Sequence, residues 1–372
     1  MDFYAMHLEA AQIVRDLCKL PAPSHHEELR AEYCKNWFEN NGFENVVIDE
    51  ALNVIAPVNV SADNEVSVLM AHTDTVFPDT EPMPFVEKEG FMYSPGVTDD
   101  TANLAVLMVC AREFKKSWKS ADGSGLLFVA NSCEEGLGNL KGCRKIVETY
   151  GKRMRELVSL DSSMFGYFTD KAVGSHRYKV QLRTEGGHSF SRFGNRNAIH
   201  HLASLITMLY TVKVPVEGDS KTTYNVGTIS GGTSVNTIAQ DAEMLYEYRS
   251  DNRNCLAKMQ TIFESAIAAF RATGVEIDVE KIGDRPCSGK IDPVRFEALR
   301  ERIRAAGKTV LDMEYQSRSG STDSNIPLSC GIPSICFGVC RGAGAHTREE
   351  KLEVASLIDG CKLFMEFLQR SY

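Results

Sequence analysis

Short acidic and histidine-bearing segments follow several apolar, strand-like runs of this 372-residue chain. Four of them come directly after such runs, and a fifth precedes a helical pattern. In chain order the segments are His72-Thr73-Asp74, Asp99-Asp100, Glu134-Glu135, Asp161 and His346. In open α/β sheets, ligands bind outside the carboxyl ends of the strands. We therefore predict that these side chains meet at one edge of a sheet, where they form a metal site with a general base. Such a site is typical of a hydrolase.

The first segment has the spacing of a metal ligand with its supporting group. Catalytic zinc is bound by neutral histidine and by carboxylate, usually with one position left for water. In an extended strand the side chains of His72 and Asp74 point to the same side. His72 would then bind the metal while Asp74 accepts the other ring N–H. A His-x-Asp pair alone more often forms a hydrogen-bonded surface pair, but its companions favour the metal site.

Glu134 and Glu135 lie in a Gly-rich turn, where adjacent side chains diverge. One can bind metal while the other faces the bound water, accepts its proton and passes it to a leaving amine. Taken alone, the pair would favour an acidic turn on the surface. Asp161 closes an apolar strand, where an unpaired buried carboxylate would be costly. His346 lies in a flexible loop that permits close approach to a ligand.

The composition limits the function further. The length favours two domains, and the net charge of −9 without a basic block argues against nucleic acid or anionic lipid as a partner. The longest apolar runs, such as 104–111, are shorter than the ~20 residues of a membrane helix. No signal peptide is evident at the N-terminus. The 11 scattered cysteines suggest buried free thiols, and we expect a cytoplasmic protein.

The pattern of elements changes along the chain. Residues 1–174 and 287–372 alternate between strands and helices, which predicts an α/β catalytic domain with a mainly parallel, mixed sheet. Residues 175–286 follow the order strand–helix–strand–strand–helix–strand, which is typical of a ferredoxin-like α+β domain. Ser24 and Glu27 are predicted to form the capping box of the second helix.

In this order the motifs resemble those of the zinc exopeptidase family that includes peptidase T, carboxypeptidase G, aminoacylase and succinyl-diaminopimelate desuccinylase. The match covers nearly the whole chain, including residues 175–286, which correspond to the lid domain of the family. The resemblance implies His72 and Asp161 as ligands of one metal ion, Glu135 and His346 as ligands of a second, and Asp99 as the bridge. Glu134 falls on the catalytic base of the family. The bridging segment departs from the family, because many relatives have Asp-Asp-Lys-Gly or Asp-Met-Lys-Gly where this chain has 99–102, Asp-Asp-Thr-Ala. The first aspartate is the aligned one, which favours Asp99 over Asp100.

The resemblance also assigns roles within the insert. His188, in Gly-Gly-His-Ser, is similar to a lid histidine that reaches a substrate carbonyl in the family. Asn236 and Arg249 match positions that often bind polar groups or a carboxylate of the substrate. Without the family, a turn asparagine and an arginine with a buried stem would explain these two residues as well.

These observations predict a co-catalytic di-zinc exopeptidase that acts on short peptides, closest to the peptidase T branch. Two divalent ions per chain are expected, most simply zinc, with manganese or cobalt possible. The family resemblance also implies that two lids pair in a homodimer. The alternatives are an amidohydrolase that removes N-acyl groups and a non-enzymatic dimeric binding protein. The complete ligand set argues against the latter. The sequence has no serine-hydrolase elbow and no phosphate-binding loop.

Overall fold

Two parts of the chain have hydrophobic cores of their own. The computed structural model describes residues 1–136 and 138–372. The main domain comprises Met1–Ala172 and Gly289–Tyr372, and the inserted domain comprises Val173–Ser288. The polypeptide therefore leaves the main domain once and returns to it once.

The elements follow one another in three segments. The first segment of the main domain contains α1 (Phe3–Leu17), α2 (Glu28–Asn40), β1 (Val47–Ile48), β2 (Val54–Val58), β3 (Val66–His72), β4 (Val86–Lys88), β5 (Phe91–Tyr93), α3 (Ala102–Lys115), β6 (Gly125–Asn131), α4 (Lys141–Tyr150), β7 (Met154–Leu160) and β8 (Tyr167–Ala172). The inserted domain contains β9 (Gly174–Arg183), β10 (Gly187–His188), α5 (Ala198–Tyr210), β11 (Thr222–Gly231), β12 (Thr237–Ile238), β13 (Asp241–Ser250), α6 (Arg253–Ala272) and β14 (Glu276–Arg285). The last segment contains α7 (Pro293–Leu311), β15 (Gln316–Gly320), α8 (Asn325–Ser329), β16 (Ser334–Phe337), β17 (Gly342–Ala343), β18 (Lys351–Glu353) and α9 (Ser356–Ser371).

The main sheet has parallel strands at its centre and antiparallel strands towards its edges. Among the described residues its order is β1-β2-β6-β3-β7-β16-β8-β15. The neighbours β6, β3, β7 and β16 run parallel to one another, whereas β2 and β8 run antiparallel to this group. This arrangement confirms the predicted α/β fold with a mainly parallel, mixed sheet.

Both faces of the main sheet are covered. Alternate residues of a strand point to opposite faces, and Leu69 and Ala71 of β3 pack in the core that includes α1, α3 and α9. Val68 and Met70 of the same strand pack in a second core with Ile146 of α4. Burying an aliphatic side chain of this size stabilises the fold by about 1.5–3 kcal/mol. A strand that is buried on both faces holds its carboxyl end firmly in place.

The inserted domain has one antiparallel sheet and two helices. Its strand order is β11-β13-β9-β14, with antiparallel pairing throughout. Helices α5 and α6 contribute Leu205 and Phe263 to a core shared with Val180 and Met244 of the sheet. Connectivity and strand order are those of the predicted ferredoxin-like arrangement.

The predicted capping box of the second helix is wrong. Helix α2 begins at Glu28, and its N-cap residue Glu27 makes no side-chain cap hydrogen bond. Ser24 Oγ donates instead to Asp74 Oδ2 at 2.7 Å. Glu27 Oε1 accepts the backbone N–H of Cys133 at 2.9 Å. Tertiary partners near the end of the main sheet have thus replaced the local cap.

The remaining whole-chain features concern membranes and thiols. In the two ranges that the structure describes, no helix is long and apolar enough to cross a membrane. All 11 cysteines are free thiols. Burial raises the pKa of the Cys143 and Cys336 thiols well above the ordinary value. Such thiols stay protonated and therefore unreactive.

Candidate metal centre

Three neighbouring parallel strands bring predicted ligands to one edge of the main sheet. Strand β3 lies between β6 and β7 and runs parallel to both. His72 is the last residue of β3, and Asp161 directly follows β7. Glu134 and Glu135 follow β6, whose last residue, Asn131, pairs with His72. The strands therefore end at the same level, and the polar side chains at and just after their ends lie together.

The hydrogen bonds of the buried His72 ring define its tautomer. Nδ1 lies 3.0 Å from the backbone carbonyl oxygen of Asp74 and 3.3 Å from its carboxylate Oδ1. Because a carbonyl oxygen only accepts, Nδ1 carries the ring proton, and Nε2 of the neutral ring has a lone pair. Nε2 lies 3.0 Å from Asp99 Oδ1. A metal-binding histidine has this arrangement, with its second nitrogen donating to a protein oxygen.

The Asp99 carboxylate lies between two histidines. Its Oδ1 is 3.0 Å from His72 Nε2, and its Oδ2 is 3.0 Å from His346 Nε2. His346 Nε2 is also 3.2 Å from Glu135 Oε1. Four of the predicted metal ligands, from four separate segments of the chain, therefore form one continuous set of close contacts.

Asp100, the alternative bridging residue, is turned into the protein. It is completely buried. Its Oδ2 accepts the backbone N–H of His72 at 2.9 Å, and its Oδ1 accepts Asn103 Nδ2–H at 2.7 Å. Both oxygens thus accept hydrogen bonds inside the protein, one from the backbone and one from a side chain, whereas the carboxylate of Asp99 faces the two histidines.

The Asp74 carboxylate joins the end of β3 to the turn that follows β6. Its Oδ1 accepts the backbone N–H of Glu134 at 3.0 Å, and its Oδ2 accepts that of Glu135 at 3.0 Å. Burial opposes its ionised form, but hydrogen bonds from His72, Ser24 and the turn lower the pKa of the Asp74 carboxyl. One buried anion therefore supports a histidine and two glutamates.

Two overlapping groups of side chains could share a cation. In each group, the three ligand atoms lie within 4.8 Å of one another. The groups are His72 with Asp99 and Glu135, and His72 with Glu134 and Asp161. Glu134 is as close to its neighbours as a ligand would be, so distance alone does not separate its predicted role as a base from metal binding.

The carboxylates of this cluster repel one another in a buried setting. Burial and the charge of Asp99 raise the pKa of Asp161 well above its ordinary value. Burial raises the pKa of Glu135 to about 7. Hydrogen bonds to Asp99 and Glu135 raise the pKa of His346 to about 11. A bound cation would relieve this repulsion, because it would be the largest positive charge in the site.

Arg30 was not singled out by the sequence, yet it lies buried behind the site. Its side chain is 1% exposed. Nη1 donates to the Thr73 carbonyl oxygen at 2.9 Å and to Thr101 Oγ1 at 3.2 Å. Nε donates to the Leu20 carbonyl oxygen at 3.0 Å. Because Thr73 follows His72, and Thr101 follows the aspartate pair, this guanidinium links two ligand-bearing segments.

Asp323 is a further buried carboxylate near the cluster. Its Oδ2 accepts Asn131 Nδ2–H at 2.6 Å. Burial and the charge of Glu134 raise the pKa of Asp323 to about 8. Asp323 lies in a Ser/Thr-rich loop and does not follow an apolar run, so the strand-end pattern does not identify it as a site residue.

His188 lies in β10 of the inserted domain, and its side chain is exposed. Its Nδ1 accepts the backbone N–H groups of Phe190 at 3.3 Å and Ser191 at 3.5 Å. In the neutral ring the proton is therefore on Nε2, which makes Nε2 a hydrogen-bond donor.

The two predicted substrate-binding residues of the inserted domain differ in their surroundings. Asn236 is exposed, and its Oδ1 accepts Ser234 Oγ–H at 2.9 Å. Arg249 forms two hydrogen bonds with Glu247, Nε to Oε1 at 2.8 Å and Nη2 to Oε2 at 3.0 Å. Glu247 also lies 3.3 Å from Arg177 Nε. Two guanidinium groups thus share one carboxylate on this sheet.

The histidines and carboxylates lie at the carboxyl edge of an α/β sheet, and a ferredoxin-like domain is inserted into the chain. These two features together define a class of metal-dependent hydrolases. Residues 68–370 match the model of Peptidase family M20/M25/M40. The chain belongs to this family, which confirms the family and the enzyme class that the sequence predicted.

Individual proteins of the family show how broad the similarity is. Succinyl-diaminopimelate desuccinylase of Corynebacterium glutamicum is 26% identical over 371 residues, which cover 96% of this chain and 95% of that protein. A solved tripeptidase of Staphylococcus aureus has a TM-score of 0.76 and 21% identity, with 98% of each chain covered. A solved Bacillus subtilis peptidase, described as binding a dinuclear metal, has a TM-score of 0.66 and 17% identity, with 98% of each chain covered. At these identities the likeness to the solved structures is one of fold.

Proposed function

We propose that the protein is a metal-dependent exopeptidase that hydrolyses short peptides, as a di- or tripeptidase or an aminopeptidase. The observation that carries the proposal is the Asp99 carboxylate between His72 and His346, with Glu134 and Glu135 at the same sheet edge. This set supplies cation ligands together with an acid–base group. The fold likeness to a tripeptidase supports peptides as substrates.

The donor set fits two divalent ions. We assign His72 and Asp161 to one ion and Glu135 and His346 to the other, with Asp99 shared. Histidine nitrogen and carboxylate oxygen are the usual donors to catalytic zinc. The close grouping of the ligand atoms and the mutual repulsion of the carboxylates support cation binding at this place. Zinc is the simplest choice, and manganese or cobalt accept the same donors.

When bound, such ions lower the pKa of a water toward ~7 and polarise the scissile carbonyl. Glu134 would hold the proton that the attacking water loses and deliver it to the leaving amine nitrogen. The backbone N–H of Glu134 donates to Asp74, and this hydrogen bond fixes the backbone position from which the Glu134 side chain would extend toward the substrate. Asp74 also keeps the proton of His72 on Nδ1 through its carbonyl oxygen, which preserves Nε2 as a ligand.

The inserted domain would supply the contacts to the substrate. His188 Nε2–H is proposed to donate to the carbonyl oxygen as negative charge develops on it. Asn236 and Arg249 are proposed to bind polar groups and the carboxylate of the peptide. Arg249 would then share its charge between Glu247 and the substrate.

We further propose a cytoplasmic homodimer that pairs through the inserted domain. Strand β11 is an edge of the described four-stranded sheet, and most of its residues are exposed. An unpaired edge of this length is usually covered or paired in the native assembly. Free thiols that are mostly buried suit a reducing compartment.

An amidohydrolase that removes N-acyl groups is the second candidate. It is favoured by the alignment with succinyl-diaminopimelate desuccinylase over nearly the full length of both chains. The same metal ligands and base serve either substrate, because both reactions break an amide C–N bond. The two classes of substrate differ in the groups on either side of that bond. The residues that bind these groups must therefore determine which class is hydrolysed.

A substrate panel separates the two candidates. Metal-loaded protein is assayed with dipeptides, tripeptides, N-acetyl amino acids and N-succinyl amino acids, with Glu134→Gln as the control for contaminating hydrolases. We expect kcat/KM for at least one peptide class to exceed that for every N-acyl amino acid by about 10-fold, or about 1.4 kcal/mol of transition-state stabilisation. The reverse order would establish the amidohydrolase. Turnover of neither class by metal-loaded protein would contradict both.

A further inference from the structure

Glu350 lies at the base of the hairpin loop that carries His346. Strands β17 and β18 pair with each other, so residues 344–350 form the loop between them. Within this loop the His346 side chain is 56% exposed, whereas Glu350 is completely buried. Strand β18 also pairs with β5, which leads into the segment 96–99. The His346 loop and the Asp99 segment are therefore neighbours by strand pairing.

The Glu350 carboxylate accepts four hydrogen bonds from the Asp99 segment. Its Oε2 accepts the backbone N–H of Gly96 at 2.7 Å. Its Oε1 accepts the N–H of Thr98 at 2.7 Å, the hydroxyl of Thr98 at 2.6 Å and the N–H of Asp99 at 3.0 Å. The donors come from three of four successive residues, so this one side chain fixes the course of the segment.

The charge of Glu350 is not explained by ion pairing. Within the part of the chain that the structure describes, it has no Lys or Arg partner within 4.0 Å. A buried carboxylate next to Asp99 adds repulsion to a cluster that is already acidic. Since this is electrostatically unfavourable, the residue must contribute through its geometry, in which backbone N–H groups satisfy its oxygens.

We propose that Glu350 is a positioning residue of the metal centre. It holds the backbone of 96–99 so that the Asp99 carboxylate spans His72 and His346. Glu350 also lies at the base of the loop that carries His346. Its hydrogen bonds therefore link the position of Asp99 to that of His346. This inference rests on the proposed metal-binding function and concerns residues that touch neither metal nor substrate.

Three variants test the proposal. Glu350→Gln keeps the size of the side chain but replaces one acceptor oxygen by an NH₂ group, which faces a backbone donor and cannot accept from it. Thr98→Val removes one donor and leaves Glu350 itself unchanged. Glu349→Gln is the matched control, because Glu349 is the adjacent residue of the same type and is exposed.

The readouts are taken without substrate. Metal-free protein is titrated with Co²⁺, and both the dissociation constant and the visible absorption spectrum are recorded; circular dichroism confirms folding. We expect Glu350→Gln to weaken Co²⁺ binding about 10- to 100-fold, as for other residues that orient ligands, and to change the spectrum. Thr98→Val should weaken Co²⁺ binding and change the spectrum in the same direction, but to a smaller extent. In turnover, kcat of Glu350→Gln should fall more than KM rises, and Glu349→Gln should match wild type throughout.

Defined outcomes would overturn the proposal. Folded Glu350→Gln with the wild-type spectrum and affinity would reduce Glu350 to a structural residue, and an equal effect of Glu349→Gln would remove its special role. If Glu350→Gln does not fold, Thr98→Val decides, and a wild-type spectrum in that variant overturns the proposal. Failure of the wild-type protein itself to bind divalent metal would instead contradict the proposed function.

Discussion

The carboxylate of Asp74 accepts the backbone N–H of Glu134 at 3.0 Å, although the two residues are 60 positions apart in the chain. The second oxygen of Asp74 accepts the N–H of Glu135 in the same way. The end of β3 therefore sets the position of the turn that follows β6. The proposed general base and its neighbouring metal ligand depend on the same buried anion.

Replacement of Asp74 by Asn should disturb this support. The Asn amide nitrogen cannot accept a hydrogen bond, so the N–H of Glu134 or Glu135 would be left without its partner. A buried donor without a partner costs about 1–3 kcal/mol of stability, and loss of such support typically lowers metal affinity or activity about 10- to 100-fold. Urea unfolding and metal titration measure the two effects.

Ser24→Ala is the matched control for that variant. Ser24 Oγ donates to the same carboxylate at 2.7 Å and lies 3.5 Å from the carbonyl oxygen of Glu135, but it does not bind the backbone N–H of either glutamate. We expect a smaller loss of stability and nearly unchanged metal affinity. If Asp74→Asn were no worse than Ser24→Ala, the support would be unimportant.

Substitutions of the two glutamates should differ in their effects on metal binding. Glu134→Gln keeps the shape of the side chain but removes the proton acceptor, and we expect its rate to fall about 10²- to 10⁴-fold with metal content near wild type. Glu135→Gln should instead weaken one metal site. Metal analysis beside kcat distinguishes them. Loss of metal from Glu134→Gln with full metal in Glu135→Gln would exchange the two roles.

Removal of metal should abolish activity reversibly. Protein purified without chelator is expected to contain up to two divalent ions per chain, because two groups of candidate ligands, which share His72, lie at this sheet edge. Exhaustive chelation followed by gel filtration should leave inactive, folded protein, and zinc, manganese or cobalt should restore turnover. Activity that persists in protein shown to be free of metal contradicts the metal mechanism.

Metal-free protein should become less stable as the pH rises from about 5 to about 8. The pKa of Asp323 is about 8 in the folded protein because burial and Glu134 disfavour its charge, whereas an unfolded Asp titrates near ~3.9. Between these values the folded state keeps a proton that the unfolded state has lost. The free energy of unfolding therefore falls with rising pH, by at most about 1.4 kcal/mol per pH unit for this one group, and levels off above its folded pKa.

Urea midpoints measured in chelator at several pH values test that dependence. Asp323→Asn is the matched variant, because it keeps the shape of the side chain and cannot titrate. Its midpoint should vary less with pH than that of the wild type. Identical slopes for the two proteins would show that Asp323 does not hold the proton.

The proposed role of His188 can be tested across subunits. His188→Ala should fold and bind metal but lose about 10²- to 10³-fold in rate, as when an oxyanion donor is removed. If two chains share a site, subunit exchange between His188→Ala and Glu134→Gln should restore part of the activity, because one site in each mixed dimer is intact. Proven exchange without recovery would mean that His188 serves its own chain. A fully active monomer would exclude a shared site.

The order along the chain of the strands and the candidate ligands could be predicted because four of the five ligand-bearing segments follow an apolar run. Strands β3, β6 and β7 are buried over most of their length, so their sequences are apolar and recognisable. Strand β15 has no such apolar run, because it lies at the edge of the described sheet, next to β8, where its sequence can be polar. Strand β2 is also hard to recognise from the sequence, since it contains Pro57 and proline is rare in regular strands.

The supporting residues could not be predicted, because their partners are distant in sequence. Glu349 and Glu350 are adjacent and of the same type, yet one is exposed and the other is buried among backbone donors. The pairing of β18 with β5 decides which of them faces inward. Arg30 likewise resembles an ordinary helix-surface residue until Thr73 and Thr101 are placed beside it. Such roles follow from tertiary register and have no local sequence pattern.

The bond between Glu350 and Gly96 spans 254 positions of the chain. During synthesis from the N-terminus, His72, Asp99 and Glu134 leave the ribosome long before the loop of His346 exists, while the domain can begin to fold. For most of that time the nascent chain holds an incomplete ligand set around an unsupported Asp99. Hydrolysis would therefore become possible only after residues 344–350 have been synthesised and have bound the Asp99 segment.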